Sequence, residues 1–311
     1  MDQYGLPYMG SKSKIATYII NTLPSADNFY DLFAGGCAIT HRVLLTNKYK
    51  NIYFNDINGD ITQLFLDAIN GKYKNETRWI SREDFFKLKD TEEYVALCWS
   101  FGNSQRAYMY GEYIEPWKKA LHYARVLNDY SLLKEMGING DGSRLDIKKH
   151  KEEYKQKYIE WYKKHYDYDS LSKVNKIGLE NLKSLQSLER LERYCRSYEE
   201  VPIKPNSVIY CDIPYENTTE YISGAFNHKA FYDWACNQKE LVIISSYNIS
   251  DDRFMEISSI QKNVLLSNLQ NKEKQKHYEV VYIPKNQKEL YEKMMNRKLI
   301  NQEKSEQLSL F

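Results

Sequence analysis

The residues best suited to chemistry lie in one nonapeptide, Ser207-Val208-Ile209-Tyr210-Cys211-Asp212-Ile213-Pro214-Tyr215. Val208, Ile209 and Tyr210 form a short apolar, β-prone run that reads as a buried strand. Pro214 has no amide hydrogen and forbids its continuation. Asp212 therefore falls at the carboxyl end of a strand, the edge at which open α/β sheets place their ligands. The carboxylate, the backbone carbonyls of Ile213 and Pro214, and the Tyr215 ring offer acceptors for an amino group and a surface for a planar base. That set suits a nucleobase whose exocyclic amine is to be alkylated. A strand that merely ends in a proline turn explains the tetrapeptide equally well, and only the surrounding elements separate the two readings.

Those elements begin with Tyr8-Met9-Gly10-Ser11-Lys12-Ser13-Lys14, ahead of a helix-like run from Ile15 to Leu23. Exposed backbone N–H groups and Lys12 would stabilise an anionic ligand group there, although an ordinary helix start has the same composition. Next come a strand (Phe29 to Phe33), the turn Gly35-Gly36, a helix (Ala38 to Leu45) and a second strand (Asn51 to Phe54) ending at Asn55-Asp56. Glycines at such a junction let a ligand approach the backbone. An acid at the end of the second strand is the expected partner of ribose hydroxyls. The order points to a nucleoside-containing cofactor. The spacing lacks the three-glycine dinucleotide fingerprint, which disfavours NAD and FAD.

From Gly71 to Cys195 the sheet pattern disappears, and this stretch carries nearly half of the 28 tyrosines with Trp79, Trp99, Trp117 and Trp161. Trp99 to Asn103 and Gly140 to Arg144 read as loops between helices. His150 to His165 mixes lysines with aromatic rings on a helix-like segment, which suits either a phosphate-tracking face or a solvated amphipathic helix. Leu179, Leu182, Leu185, Leu188 and Leu191 predict a helix packed on the core. Beyond the nonapeptide, Phe226 to Trp234 reads as a helix, and Leu241 to Ser246, Asn263 to Ser267 and Tyr278 to Pro284 read as strands. Alternating strands and helices make a doubly wound sheet, here interrupted by a mostly helical insertion. A charged helix (Glu289 to Arg297) leads into a polar tail ending Gln307-Leu308-Ser309-Leu310-Phe311, which reads as a groove-docking peptide or as a tail folded back on its own domain.

Composition narrows the class. With 311 residues the chain can bury a full core and more than one lobe. The five cysteines are scattered without a Cys-x-x-Cys pair, which points to reduced thiols and against both a disulfide frame and a zinc site. No apolar run approaches a membrane span and the first residues lack a signal-peptide pattern, so a cytoplasmic location is expected. A net charge of +2 gives no global field, so any nucleic-acid binding must come from a local patch.

With these motifs in order, the chain resembles the Dam-family, alpha-group DNA adenine-N6 methyltransferases of phage and prophage type. Tyr8-Met9-Gly10-Ser11-Lys12 is similar to the family's Tyr-x-Gly-x-Lys motif, and Asp31-Leu32-Phe33-Ala34-Gly35-Gly36 to its Phe-x-Gly-Gly cofactor loop. Asn55-Asp56 resembles the ribose-binding acid and Asp212-Ile213-Pro214-Tyr215 the Asp-Pro-Pro-Tyr catalytic motif, with Ile213 in place of proline. The resemblance implies a class I S-adenosylmethionine-dependent methyltransferase fold, Rossmann-like, whose mostly parallel sheet ends in an antiparallel strand. It implies catalysis by Asp212, Ile213, Pro214 and Tyr215, and S-adenosyl-L-methionine bound by Tyr8, Lys12, Asp31, Phe33, Gly35, Gly36, Asp56, Tyr198 and Asp212, with no metal. It also implies a discontinuous catalytic domain (1–70 and 196–290), a target-recognition insertion (71–195) and a tail (291–311). The expected partner is double-stranded DNA, the adenine being flipped from the stack, and the protein is expected to be a monomer in a bacterial or phage-infected cell. Gln307 to Phe311 resembles the peptide that bacterial replication proteins dock on the sliding clamp. The alternatives are a methyltransferase of RNA or protein amides, and a DNA-binding relic in which Ile213 marks lost catalysis.

Overall fold

The computed structural model describes residues 3–165, 188–216, 226–262 and 277–296. They fall into two compact units. One comprises Met1–Leu6, Gly10–Asn70 and Asn181–Phe311, the other Pro7–Met9 and Gly71–Glu180.

The first unit is built on seven strands: β1 (Asn28–Asp31), β2 (Asn51–Asn55), β3 (Leu191–Tyr194), β4 (Ser207–Cys211), β5 (Leu241–Ser246), β6 (Phe254–Lys262) and β7 (His277–Pro284), in the order β3-β2-β1-β4-β5-β7-β6. The strands β3-β2-β1-β4-β5 run parallel to one another, while β7 is antiparallel to both β5 and β6. β1 and β4 are buried along their whole length, as a strand covered on both faces must be. The helices are α1 (Ala16–Thr22), α2 (Ala38–Leu44), α3 (Gly59–Ile69), α10 (His228–Asn237) and α11 (288–296). The chain runs outward from β1 through β2 to β3, then returns to β4 on the other side of β1. That reversal opens a crevice at the carboxyl ends of β1 and β4. Tyr30, Ile209, Phe231, Val242 and Ile244 fill the core on one side of this crevice.

Sequence pattern located β1, β2, β4, β5 and β7 but missed two strands at the sheet's edges. Leu191 begins β3 instead of closing a leucine-lined helix, and Leu188 sits in a single 3-10 turn. Backbone pairing with β2 decides this, helped by Arg190, whose guanidinium donates to the carbonyls of Leu44, Thr46 and Tyr49. Leu191 to Tyr194 thus belong to the sheet and not to the insertion. β6 was hidden because an edge strand needs no continuous apolar run, and a bulge between Glu256 and Ser258 breaks its alternation. The leucines at 179, 182 and 185, the strand expected over Asn263 to Ser267 and the peptide Gln307 to Phe311 lie outside the described residues.

The second unit contains α4 (Arg82–Leu88), α5 (Glu93–Cys98), α6 (Glu115–Val126), α7 (Ser131–Glu135), α8 (Arg144–Lys149) and α9 (Lys151–His165). On α9 the tyrosines at i, i+4 and i+8 (Tyr154, Tyr158 and Tyr162) are all buried against Leu121, Leu133 and Ile138. Those three rings are core, and α9 is an amphipathic helix whose lysines lie on its outer side. A second feature does present a ring: Ser100 and Tyr108 pair across a loop on which Phe101 is 61% exposed. The loop is pinned by Asn103, which donates to the Leu97 carbonyl, and by the Gln105 amide, which donates to Ser100 Oγ. No described helix is long and apolar enough to cross a membrane.

Candidate active site

Lys12, Asp212, Tyr215, Ser245 and Glu279 of the first unit meet beside the crevice. Asp212 follows β4, and its carboxylate accepts from Lys12 Nζ at 2.5 Å and from Ser245 Oγ at 3.3 Å. The same ammonium donates to Tyr215 Oη at 2.6 Å and lies 3.4 Å from Glu279 Oε1. The Tyr215 hydroxyl in turn donates to Glu279 at 3.2 Å. Lys12 and Glu279 are 3% and 0% exposed, whereas Asp212 keeps 21%, so the cluster opens outward through Asp212. Burial opposes the charge on Lys12, but the Asp212 and Glu279 carboxylates outweigh it and raise its pKa. Lys12 is a fixed cation.

Antiparallel pairing puts Glu279 here. β7 aligns Val280 with Ser246, so the start of β7 lies at the carboxyl end of β5, level with the loop after β4. The sequence reading missed Glu279, because a lone acid in an apolar strand shows its significance only when the strand's direction is known. Tyr247 was not singled out as a site residue either, and its ring centroid lies 4.1 Å from that of Tyr215. Beyond Tyr215, Glu216 closes the turn by accepting from Tyr232 Oη and Ser250. His228 Nε2 donates to the Pro214 carbonyl at 2.8 Å. Ile213, where the family usually has proline, is 2% exposed and packs in the core with Ile209 and Phe254, so side-chain burial restrains the turn.

The glycine loop stands on the other side of the crevice. Asp56 accepts from the backbone N–H groups of Gly35 (2.8 Å) and Asn58 (2.9 Å), which ties the end of β2 to the loop after β1. Cys37 adopts φ +59°, a left-handed conformation uncommon for a residue with a side chain, so the loop is held under some strain. Phe33 packs on Tyr198 with centroids 5.4 Å apart, and Tyr198 also meets Phe231 and Trp234. Lys12, Asp31, Phe33, Gly35, Gly36, Asp56, Tyr198 and Asp212 all belong to the first unit, whereas Tyr8 belongs to the second.

Asp31 lies at the end of β1 and is 1% exposed. Its Oδ2 accepts from the Thr40 amide and hydroxyl, while buried Oδ1 has no partner among the described residues. Burial, reinforced by the charge of Asp212 and opposed by the Thr40 bonds, raises its pKa from 3.8 to about 7. The fold therefore favours the protonated acid, and unfolding releases that proton between the two values. Stability from this group is complete below pH 3.8 and is lost as pH rises to about 7. Asp31→Asn is expected to flatten the fall in stability between those pH values, as measured by denaturant titration at several pH values.

Gly5 backs the loop from the N-terminal side. Its amide donates to His41 Nδ1 at 2.9 Å, and the next residue's amide donates to the Gly36 carbonyl at 2.6 Å. Burial lowers the His41 pKa to about 4, so the imidazole is neutral and can accept. Gly5 has φ +69°, and an added Cβ would sit 2.3 Å from the Gly36 oxygen and 2.6 Å from the Ala38 nitrogen. Gly5→Ala thus combines backbone strain with a clash against backbone and is expected to destabilise by about 2–4 kcal/mol. Gly10→Ala, with φ +81° but open space around it, is expected to cost only the conformational term, about 1 kcal/mol. Thermal unfolding of the pair checks this.

No cluster of metal-ligating side chains occurs among the described residues. No curated protein matches the chain. A family model, the D12 class N6 adenine-specific DNA methyltransferase, matches residues 8–293 and takes in the cluster at Asp212, the glycine loop and the whole helical unit. With nearly its full length matched, the chain belongs to the D12 class of N6 adenine-specific DNA methyltransferases, enzymes that methylate adenine in DNA.

Proposed function

We propose that this enzyme takes the methyl group from S-adenosylmethionine and places it on an adenine flipped out of duplex DNA, with Asp212 and the Ile213 carbonyl holding the exocyclic amine. The observation that carries the reading is the Asp212 carboxylate, partly open at the strand end while the groups behind it are sealed. Enzymes that act on a base take it out of the stack, since the reacting atom is otherwise out of reach.

The residues present fit the cofactor. The unpartnered, buried Asp31 Oδ1 suits an ammonium group such as the cofactor's amino-acid end carries. Asp56 uses one acceptor direction of each oxygen for the Gly35 and Asn58 amides and keeps others for ribose hydroxyls. Gly35 and Gly36 allow close approach of the backbone, and the Phe33–Tyr198 pair offers a wall for the adenine ring. S-adenosylmethionine supplies a methyl group on positively charged sulfur, an electrophile that a neutral amine can attack. Tyr8 is the residue whose cofactor role rests on the motif alone. Lys12, bonded to Asp212 and Tyr215, is better placed to organise the amine acceptors than to meet the methionine end.

With the Pro214 carbonyl engaged by His228, the Ile213 carbonyl is the natural second acceptor beside Asp212. Two acceptors bonded to the two amine hydrogens concentrate electron density on nitrogen and fix the direction of its lone pair. Acceptors preorganised in a partly dry site act more strongly than the water they replace. Positioning the amine then provides most of the acceleration, and no covalent step on the protein is needed. The Tyr215 ring, clamped through its hydroxyl by Lys12 and Glu279, provides the stacking face.

We assign target recognition to the insertion 71–195, less the residues of β3, where exposed Phe101 on a pinned loop suits contact with unstacked bases. The acting form is proposed to be a monomer in the cytoplasm of a bacterial or phage-infected cell, with Gln307 to Phe311 docking on the sliding clamp. Labelled S-adenosylmethionine, offered with unmethylated duplex DNA, RNA or protein, tests the reading. Label in duplex DNA, recovered as N6-methyladenine at one short sequence, is the expected result. Label in RNA or protein instead would overturn it.

A further inference from the structure

We propose that Glu279 is a positioning residue for methyl transfer: it holds the Lys12 ammonium and the Tyr215 hydroxyl in place, so that Asp212 is presented to the adenine amine in one fixed orientation. This rests on the reading of Asp212 as an amine acceptor given above. Glu279 comes from β7, whereas its partners come from the N-terminal segment and the loop after β4. It is fully buried, bonds to the Tyr215 hydroxyl at 3.2 Å and lies 3.4 Å from Lys12 Nζ.

The chemistry requires such a group. Lys12 is 3% exposed and donates to Asp212 at 2.5 Å. An ammonium buried with one carboxylate alone would be drawn wholly onto Asp212 and would compete with the amine for its lone pairs. A second, sealed carboxylate divides that attraction. Lys12 then has a standing partner on the protein side, and Asp212 keeps acceptor capacity for substrate. Glu279 also fixes the Tyr215 hydroxyl, which sets the plane of the ring on which the base stacks. Among the described residues, the charged and titratable groups facing this pair are Asp212 and Tyr215 from the loop after β4, Tyr210 within β4 and Tyr247 after β5. Among these, Asp212 and Glu279 are the two that raise the Lys12 pKa, against burial, which lowers it.

The test compares Glu279→Gln with the parent enzyme, using full-length protein, duplex DNA and labelled S-adenosylmethionine. Glutamine retains an acceptor for Tyr215 but removes the charge that Lys12 leans on. Three results are expected. The turnover number falls on the order of tenfold, with the KM for each substrate within about threefold of the parent. The pH–rate profile acquires an alkaline fall that the parent, whose Lys12 is raised above the ordinary 10.5, lacks, because Lys12 loses one of its two carboxylates and burial lowers its pKa. Glu279→Asp, which restores the charge, removes the alkaline fall even where turnover stays reduced.

A parent-like rate and pH profile in Glu279→Gln would overturn the assignment. So would a loss of rate that merely follows lost folding, with the pH profile unchanged. Asp212→Ala, run alongside, separates the two claims. If Asp212→Ala is inactive while Glu279→Gln behaves as the parent, the amine-acceptor reading stands and the role of Glu279 falls. If Asp212→Ala is fully active, the underlying reading fails as well.

Discussion

Asp212→Ala is expected to reduce methyl transfer to duplex DNA by about a hundred- to a thousandfold, while affinities for S-adenosylmethionine and DNA change by only a fewfold. The size follows from what is lost. A preorganised acceptor aimed at the reacting group accounts for about 3–4 kcal/mol when removed from comparable sites. The split between rate and binding follows from position. Asp212 leans into the crevice from the β4 end, while the glycine loop, Asp56 and Tyr198 are held by bonds that do not include it. A variant that lost binding in parallel with rate would mean that Asp212 holds the cofactor and not the amine. Asp212→Asn should fall between: its amide oxygen still accepts, but the negative charge that draws the amine's hydrogens is gone. Single-turnover kinetics with saturating DNA, alongside equilibrium titrations, separates these outcomes.

The second large effect is on folding. Lys12→Met removes the ammonium 3.4 Å from fully buried Glu279 and the donor 2.5 Å from Asp212. Breaking a buried ion pair by removing one partner costs about 3–5 kcal/mol, because the remaining charge loses a compensating neighbour in a site shielded from water. In a domain of this size the expected fall in Tm is roughly 5–15 °C. Replacing the pair together, Lys12→Met with Glu279→Leu, should recover most of that stability, since the fully buried charge is gone and Asp212, 21% exposed, stays in reach of water. The double variant should nevertheless remain as slow as the single one. Stability restored without activity would separate the structural effect of the cluster from its chemical one. A single variant as stable as the parent would show that Lys12 and Glu279 are not an ion pair in solution.

Much of this arrangement was legible in the sequence, and its gaps have physical causes. β4 and β5 announce themselves by their apolar runs, Val208 to Cys211 and Leu241 to Ile244, as strands covered on both faces do. Asp212 and Asp56 were legible as strand-end acids, since a strand followed by proline or by a turn fixes where its last side chain goes. Lys12 was seen as a cation near the cofactor, but its true partners lie 200 residues and more away in the chain. Glu279 was invisible for the same reason: it becomes a site residue only once β7 is known to run antiparallel to β5. β3 and β6 were missed because edge strands have one free side and tolerate charged and polar residues. Burial of Ile213 also explains how the chain replaces the first proline of the family's motif and still has a restrained turn.

The claim at the centre is a contact: the exocyclic amine of the target adenine donates to Asp212 and to the Ile213 carbonyl. A crystal structure of the enzyme with unmethylated duplex DNA and a cofactor analogue lacking a transferable methyl group tests it most directly. The expected result is an extruded adenine stacked on Tyr215, its amine within about 3.2 Å of both acceptors. Lys12 should then lie closer to Glu279 than 3.4 Å. An adenine whose amine faces away from Asp212, or a target base still stacked in the duplex in a complex proven competent, would contradict the account.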